Sequence, residues 1–168
     1  MLEKLCPHHR AESIFALDPE ALRAQGIKGL ILDLDNTLVE WGSETVPQEL
    51  VAWVDRFKAA GFRLCIVSNA LPQRVEAVAR TLGIPGLPQA TKPFKSSFKR
   101  ALEILGTAPE ETAVVGDQLF TDILGGNRMD LYTIWTLPLS ETEFLSTRAV
   151  RRLERLVVRR FRKRGLLG

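Results

Sequence analysis

The sequence predicts an α/β fold, in which a mainly parallel five-stranded sheet lies between two layers of helices. Continuous apolar runs alternate along the chain with amphipathic segments, a pattern typical of strands that are buried on both faces and connected by helices. Glycine and proline residues separate most of these segments, as expected at the ends of helices and strands. With 168 residues, 45% of them hydrophobic, the chain is long enough for one buried core.

The predicted elements follow in chain order. The first strand covers residues 28–34, because KGLILDL is too uniformly apolar for a strand with one exposed face. Pro47 begins the first helix, which continues through Ala60 and ends at Gly61. The same criteria predict strands at 63–67, within 84–91, at 112–115 and at 131–135, helices at about 72–82, 96–105 and 121–124, and a long helix that begins near Ser140.

The net charge of +3 is unevenly distributed along the chain. Residues 148–164 contain nine basic residues and one acidic residue, so this segment carries +8 and the remaining residues together carry −5. We therefore divide the chain into a domain of residues 1–139 and a basic amphipathic C-terminal helix of residues 140–168. Such an asymmetry is typical of a protein that meets an anionic surface, which is either a membrane or a nucleic acid.

The apolar residues of the C-terminal segment form a stripe when the segment is drawn as a helix. Val150, Leu153, Val157 and Phe161 lie within one arc of roughly 80°, and most of the arginines lie on the opposite side. This arrangement is typical of an interfacial membrane helix. Two alternatives remain open. The stripe packs against the domain and the arginines are solvated, or the basic side binds nucleic acid, although no aromatic stacking platform accompanies it.

Several classes of protein are excluded. No apolar run reaches the ~20 residues that a membrane-spanning helix needs, and the N-terminal residues MLEKLCPHHRAES lack the apolar centre of a signal peptide. Two cysteines, Cys6 and Cys65, are too few for a disulfide framework or a cysteine-based zinc site. We therefore expect a cytoplasmic protein in which both cysteines are reduced.

Polar residues collect where the predicted strands end. These residues are Asp33, Asp35, Thr37, Ser68, Asn69, Lys92, Asp117 and Asp122. Because the carboxyl ends of parallel strands line one crevice, we expect these side chains to lie together in a ligand site.

The chemistry that this set suits is phosphoryl transfer. Asp33 and Asp35 are two residues apart and project toward the same side, so a divalent cation is needed to offset their repulsion. Asp117 supplies a third oxygen ligand, and such a ligand set favours Mg²⁺. A phosphate then lies between the metal and the pair of Lys92 and Ser68. One aspartate attacks phosphorus and forms an aspartyl-phosphate, while the other handles the proton of the leaving group.

The motifs DLDNTLV, SN, KP and GDQLFTD, in this order after successive strands, closely resemble the four motifs of the haloacid dehalogenase (HAD) superfamily of phosphatases. More narrowly, DNTLVEW, ATKPFK and VGDQLFTDILGGNR resemble the YqeG-type subfamily, which is related to the mitochondrial phosphatidylglycerophosphate phosphatase of fungi. The resemblance implies a three-layer Rossmann-like fold, Mg²⁺ as cofactor and the hydrolysis of a phosphomonoester.

The resemblance also implies a role for each matching residue. Asp33 is the nucleophile that becomes phosphorylated. Asp35 is the general acid and then the base for the attacking water, and it lends its backbone carbonyl to the metal. Asp117 completes the metal-binding set with these two residues.

The remaining matches concern the phosphate. The resemblance implies that Ser68 and Asn69 bind it, together with Thr37, which also orients the catalytic loop. Lys92 is a catalytic residue that binds and neutralises the phosphate. Asp122 has a supporting role, because it orients Lys92 or supports the metal through a water molecule.

The spacing of the motifs leaves no room for the cap domain that many HAD phosphatases carry. About 28 residues separate Val39 from Ser68, and one helix and one strand account for them. An open site suits a substrate that is bulky or presented at a surface. The resemblance to the mitochondrial phosphatidylglycerophosphate phosphatase implies that this substrate is the phosphorylated head group of the lipid phosphatidylglycerophosphate. The C-terminal helix would then hold the protein on an anionic membrane, peripherally on its inner face.

Three alternatives remain open. The first is a soluble phosphatase of a nucleotide or sugar phosphate, which would need another subunit of an oligomer as its lid. The second is a phospho-acceptor signalling domain, against which the DxDxT pattern argues, because its second aspartate supplies a proton shuttle for turnover. The third is an RNA-binding or membrane-binding adaptor without activity, which is disfavoured because no catalytic position is missing.

Overall fold

A computed structural model describes residues 2–140 and 145–163 of the chain. The strands are β1 (His9–Ala11), β2 (Gly29–Leu32), β3 (Arg63–Val67), β4 (Gly86–Leu87), β5 (Thr112–Gly116) and β6 (Tyr132–Thr136). They form one parallel sheet in the order β1-β6-β5-β2-β3-β4. The predicted fold class, an α/β fold with a parallel sheet, is therefore confirmed.

Helices cover both faces of this sheet. They are α1 (Pro19–Ala24), α2 (Gln48–Ala59), α3 (Pro72–Leu82), α4 (Lys95–Leu105), α5 (Leu124–Asn127) and α6 (Leu145–Lys163). Successive side chains of β2 point to opposite faces, so Leu30 and Leu32 join the core under α1, α2 and α3, whereas Ile31 joins the core under α4. A strand buried on both faces needs an apolar residue at every position, which explains why this segment is uniformly apolar.

The strand β1 is a sixth strand that the sequence did not predict. It lies at the edge of the sheet and pairs only with β6. Two of its three residues are exposed and only Ala11 is buried, so it contains no apolar run. Its place is set by contacts that are distant in sequence, such as the hydrogen bond from the His8 N–H to the Thr133 carbonyl oxygen at 3.0 Å.

The intervals between the motifs contain no cap domain. Only α2 and β3 lie between Val39 and Ser68, and only α3 and β4 lie between Asn69 and Lys92. The carboxyl edge of the sheet is therefore left open on the side of these loops, as the spacing predicts.

The C-terminal helix α6 packs against the domain through part of its predicted apolar stripe. The sequence predicts that this helix begins near Ser140, but residues 141–144 lie outside the described part of the chain, and the described helix begins at Leu145. Phe161 is buried against Leu119 and Trp135, and Val157 is half-buried beside them. Leu153, which the sequence places on the same stripe, is instead 56% exposed. Within the described ranges, no helix has both the length and the apolar character needed to cross a bilayer.

Candidate active site

The polar residues that follow the strands meet at the carboxyl edge of the sheet. The strand β2 lies between β3 and β5, so the direction of the chain across the sheet reverses there, which is where open α/β sheets bind ligands. Asp33 directly follows β2, and its N–H donates to the Val115 carbonyl oxygen of β5 at 2.9 Å. Ser68 directly follows β3, and Asp117 directly follows β5.

An open cavity of about 470 Å³ lies at this edge. It is lined by Asp33, Asp35, Trp41, Ser68, Asn69, Ala70, Leu71, Arg74, Lys92, Gln118 and Thr121. Five of the eight predicted site residues are therefore in its wall. A cavity of this size has room for a substrate much larger than a single phosphate group.

Lys92 forms the buried centre of the site. Its Nζ donates to Asp33 Oδ1 and to Asp122 Oδ1, each at 2.6 Å, and all three side chains are at least nine-tenths buried. Burial raises the pKa of Asp33 to about 7, the charge of Lys92 offsets part of this effect, and the charge of Asp122 adds to it. Burial by itself would lower the pKa of Lys92, but the carboxylates of Asp122 and Asp33 outweigh it and raise that pKa above its ordinary value. The lysine is therefore a fixed positive charge between two carboxyl groups.

Backbone geometry explains how Lys92 and Asp122 reach this position. Asn69 Oδ1 accepts the backbone N–H of Lys92 at 2.9 Å, so the loop after β3 holds the loop after β4. Asp122 lies in a π-helical turn, Leu119–Ile123, where its Oδ2 accepts the Gln118 N–H at 3.2 Å. Gly116 permits the close approach of this turn, because a Cβ atom at Gly116 would lie 2.3 Å from the Asp122 carboxyl group.

Three carboxyl groups lie close enough to share one metal ion. The ligand oxygens of Asp33, Asp117 and Asp122 are within 4.8 Å of one another, and all three residues are buried. Thr37 Oγ1 donates to Asp117 Oδ1 at 3.3 Å, so this predicted phosphate ligand contacts the carboxyl cluster. Thr37 does not line the cavity. Three buried carboxyl groups lie together, and Lys92 contacts two of them, Asp33 and Asp122. A divalent cation with oxygen ligands would offset the remaining negative charge of such a cluster.

Asp35 is the predicted metal-binding residue whose side chain lies outside this cluster. Its Oδ1 accepts from Arg74 Nη2 at 2.7 Å and from the Gly42 N–H at 3.0 Å, and its Oδ2 accepts from Arg74 Nη1 at 3.1 Å. The structure therefore places Asp35 at the cavity wall in a bidentate ion pair, while Asp122 is the third member of the carboxyl cluster.

Sequence reasoning missed Arg74. Arg74 lies in the first turn of α3, where a positive side chain is unfavourable because the backbone N–H groups of that turn already carry partial positive charge. A basic residue at this position, two residues after a helix-starting proline, is a signal that could have marked it.

The two predicted phosphate ligands after β3 differ in what they contact. Ser68 Oγ accepts the Ala70 N–H at 3.1 Å, so its hydroxyl proton stays available as a donor at the cavity. The side chain of Asn69 is engaged on both ends with the backbone of Lys92, through the hydrogen bond to the N–H and a 3.5 Å contact from Nδ2 to the carbonyl oxygen. The geometry makes Asn69 a residue that positions Lys92.

Helix α6 contacts the loop that carries Asp117. Glu154, the only acid of the basic segment, is buried, and its Oε1 accepts the Leu119 N–H at 2.6 Å. Leu119 is two residues from Asp117 and begins the turn that holds Asp122. The sequence offered a signal for this contact, because Glu154 precedes Phe161 by seven residues and shares its side of the helix.

Replacing Glu154 with alanine is expected to lower the free energy of unfolding by about 2 kcal/mol, because the buried Leu119 N–H loses a charged acceptor. Glu154→Gln, which keeps an acceptor oxygen, should lose less than half of this. Urea unfolding measures both values, with Arg152→Ala at an exposed position of the same helix as the control. A Glu154→Ala variant as stable as the control would contradict the assignment.

Comparisons with known proteins agree with this geometry. The sequence profile described as a haloacid dehalogenase-like hydrolase matches residues 40–130. The chain is 38% identical to the probable phosphatase YqeG of Bacillus subtilis, over 98% of this chain and 96% of that protein. It is 32% identical to phosphatidylglycerophosphate phosphatase 1 (chloroplastic/mitochondrial) of Arabidopsis thaliana over 95% of this chain, which spans about half (49%) of that relative.

Solved structures share the fold. An uncharacterized protein from Listeria monocytogenes serotype 4b superposes with a TM-score of 0.56 and 19% identity, over 71% of this chain and 87% of that one. A putative 3-deoxy-D-manno-octulosonate 8-phosphate phosphatase from Vibrio cholerae superposes with a TM-score of 0.51 and 21% identity, over 90% and 93% of the two chains. At these identities the likeness concerns the fold alone.

Proposed function

Because the chain belongs to the haloacid dehalogenase-like hydrolases and is a phosphatase of that family, we propose that it hydrolyses phosphomonoesters with Mg²⁺ as cofactor and Asp33 as nucleophile. The observation that carries this proposal is the position of Asp33. Its carboxyl group lies at the cavity, 2.6 Å from Lys92 Nζ and within 4.8 Å of the ligand oxygens of Asp117 and Asp122. A nucleophile, a fixed positive charge and a cation site therefore converge on one point.

The metal fits the residues that would hold it. Asp33, Asp117 and Asp122 offer carboxylate oxygens, the ligands that Mg²⁺ prefers, and their combined charge exceeds that of Lys92. When bound, Mg²⁺ would offset negative charge on the phosphate and on Asp33. A bound cation would also oppose the protonation that burial favours at Asp33, and the nucleophile would then be available as a carboxylate.

The proposed reaction has two steps, in which side chains of the site take part. In the first step, an Asp33 carboxylate oxygen forms a bond to phosphorus while the bond from phosphorus to the ester oxygen breaks, and Asp35 gives its proton to the departing alcohol. In the second step, water attacks the phosphorus of the aspartyl-phosphate, Asp35 takes a proton from that water, and the Asp33 carboxylate is released together with inorganic phosphate. Lys92 and the hydroxyl of Ser68 stabilise the charge on the phosphate oxygens in both steps.

The proposed substrate is phosphatidylglycerophosphate or a closely similar anionic lipid phosphate. Two observations support it: the relative from Arabidopsis is named for this activity, and the cavity is open and uncapped. The exposed side chains of Leu71 and Phe94 lie on the loops that follow β3 and β4, at the edge of the sheet that carries the site. Apolar side chains at that edge suit a site that works against a lipid surface.

The exposed face of α6 is the proposed membrane contact. Leu153 and Leu156 are each 56% exposed, and they lie among exposed arginines on the same helix. These arginines are Arg152, Arg155, Arg159 and Arg160. Two apolar side chains surrounded by four cations are typical of a helix that lies in the head-group region of an anionic bilayer. Leu153 is the member of the stripe expected from the sequence that belongs to this proposed membrane face, because Val157 and Phe161 pack on the domain.

An Arg152→Gln/Arg155→Gln variant tests this function. Each removed charge near an anionic surface is worth about 1 kcal/mol, so binding to vesicles that contain phosphatidylglycerol should weaken by roughly 30-fold. Hydrolysis of vesicle-borne phosphatidylglycerophosphate should fall accordingly, and hydrolysis of p-nitrophenyl phosphate should stay unchanged. Sedimentation with vesicles and phosphate release are the measurements. Arg80→Gln, which removes one exposed positive charge on α3, is the control for a loss of charge away from α6.

Two results would contradict the proposal in different ways. Equal activity of wild type and variant on vesicles would remove the membrane role of α6. A wild type that hydrolyses glucose 6-phosphate but no lipid phosphate would favour the alternative of a soluble phosphatase.

A further inference from the structure

We propose that Arg74 determines the specificity of the site by binding a second anionic group of the substrate, a phosphodiester. Binding of this group to Arg74 frees Asp35 for proton transfer. This inference rests on the proposed function and deepens it. It starts from a conflict between the observed contacts of Asp35 and the role that hydrolysis requires of it.

The conflict is that both oxygens of Asp35 are occupied by donors. Arg74 Nη2 and the Gly42 N–H donate to Oδ1, and Arg74 Nη1 donates to Oδ2. A carboxylate held in this way accepts three hydrogen bonds, and each of its two oxygens accepts at least one of them from the protein. At least one oxygen must be released before Asp35 gives a proton to an alcohol or takes one from water.

Release of Asp35 requires another partner for Arg74. The two side chains are each 19% exposed, and a bidentate pair at such a position is costly to separate unless a new anion replaces the carboxylate. The scissile phosphate is already matched by Lys92 and by the cation site. A second anionic group is therefore the replacement that the substrate has to bring.

The position of Arg74 suits such a group. Its side chain lines the same cavity as Asp33 and Lys92, and that cavity exceeds the size of one phosphate. Its Nε is buried and has no hydrogen-bond partner in the described part of the chain, so a donor is unused. The planar guanidinium group presents paired donors that match the two free oxygens of a phosphodiester, and a lysine at this position would not.

The test uses two soluble substrates that differ by the phosphodiester. Glycerol 3-phosphate has one phosphate group, whereas glycerophosphoglycerol phosphate, the deacylated head group of the lipid, has a monoester and a diester. In Arg74→Ala, the ratio of kcat/KM for the second substrate to kcat/KM for the first should fall by about 30-fold, the effect expected when one partner of a partly buried charge pair is removed. The Arg74→Lys variant should show a ratio of kcat/KM values between those of the wild type and Arg74→Ala. The Arg80→Ala variant, which replaces an exposed arginine on the same helix, should keep the wild-type ratio.

A binding measurement separates this inference from the proposed function. In an Asp33→Asn background, calorimetry with Mg²⁺ should show that Arg74→Ala weakens binding of glycerophosphoglycerol phosphate but not that of glycerol 3-phosphate. Selective weakening supports the assignment of Arg74 even if the wild type fails to hydrolyse the lipid, a result that would overturn the proposed substrate. Equal losses on both substrates, in turnover and in binding, would mean that Arg74 only holds Asp35 in place, and would overturn the inference while the phosphatase function stands.

Discussion

An Asp33→Asn variant is expected to release phosphate at less than about 10⁻⁴ of the wild-type rate, because an amide oxygen cannot replace the carboxylate that attacks phosphorus. The same variant is expected to unfold at a higher urea concentration than the wild type when no metal is present. Asp33 and Asp122 share a single buried cation, Lys92, and asparagine removes the surplus negative charge while Lys92 keeps its 2.6 Å contact with Asp122.

The gain in stability should depend on pH in a defined direction. Burial raises the pKa of Asp33 from 3.8 to about 7, so the folded protein holds a proton there that the unfolded chain loses near pH 4. In the wild type, protonated Asp33 therefore makes its full contribution to the free energy of unfolding below pH 4, and this contribution is lost as the pH rises through about 7. The difference between variant and wild type should be absent near pH 4 and largest above pH 7.

Urea unfolding in the presence of EDTA at pH 4.5 and pH 8 measures this difference. Asp55→Asn, which removes an exposed carboxylate of α2, is the control and should show no such pH dependence. A destabilised Asp33→Asn variant at pH 8 would contradict the electrostatic interpretation. Phosphate release at the wild-type rate would contradict the assignment of the nucleophile.

Much of the site could be predicted from the sequence because strand ends fix positions. Once β2, β3 and β5 are identified, their parallel arrangement alone brings Asp33, Ser68 and Asp117 to one edge. The strands themselves are apolar on both faces, so their positions were predicted to within a few residues.

The residues that escaped prediction depend on tertiary contacts. Arg74 is recognised only when its helix is placed beside Asp35, which is 39 residues away in sequence. The contact of Glu154 with Leu119 spans 35 residues. The helical periodicity groups Glu154 with Phe161 but does not indicate which element of the domain the two residues contact. The exposure of Leu153 could not be predicted for the same reason. A helical projection groups Leu153 with Phe161, but it does not indicate how much of that helix face the domain covers.

Lys92→Met is expected to lower phosphate release by at least about 10²-fold, because the fixed charge beside the phosphate is lost. Its effect on stability should be opposite to that of Asp33→Asn. Methionine retains the apolar stem but leaves Asp33 and Asp122 buried together without a cation, which should cost about 3 kcal/mol at pH 8. Urea unfolding without metal measures the loss, and Lys95→Met, at an exposed position three residues away, is the control.

Combining the two changes tests whether one electrostatic cluster governs both results. The Asp33→Asn/Lys92→Met variant lacks the carboxyl group of Asp33 beside Asp122 and Asp117, so the double variant should be more stable than Lys92→Met alone at pH 8, although it stays inactive. Strict additivity of the two free-energy changes would show that Asp33 and Lys92 act independently, and would contradict the cluster. Added positive charge stabilises a cluster of buried carboxyl groups, so the arrangement expected to destabilise the metal-free protein is the one proposed to bind a cation and a phosphate.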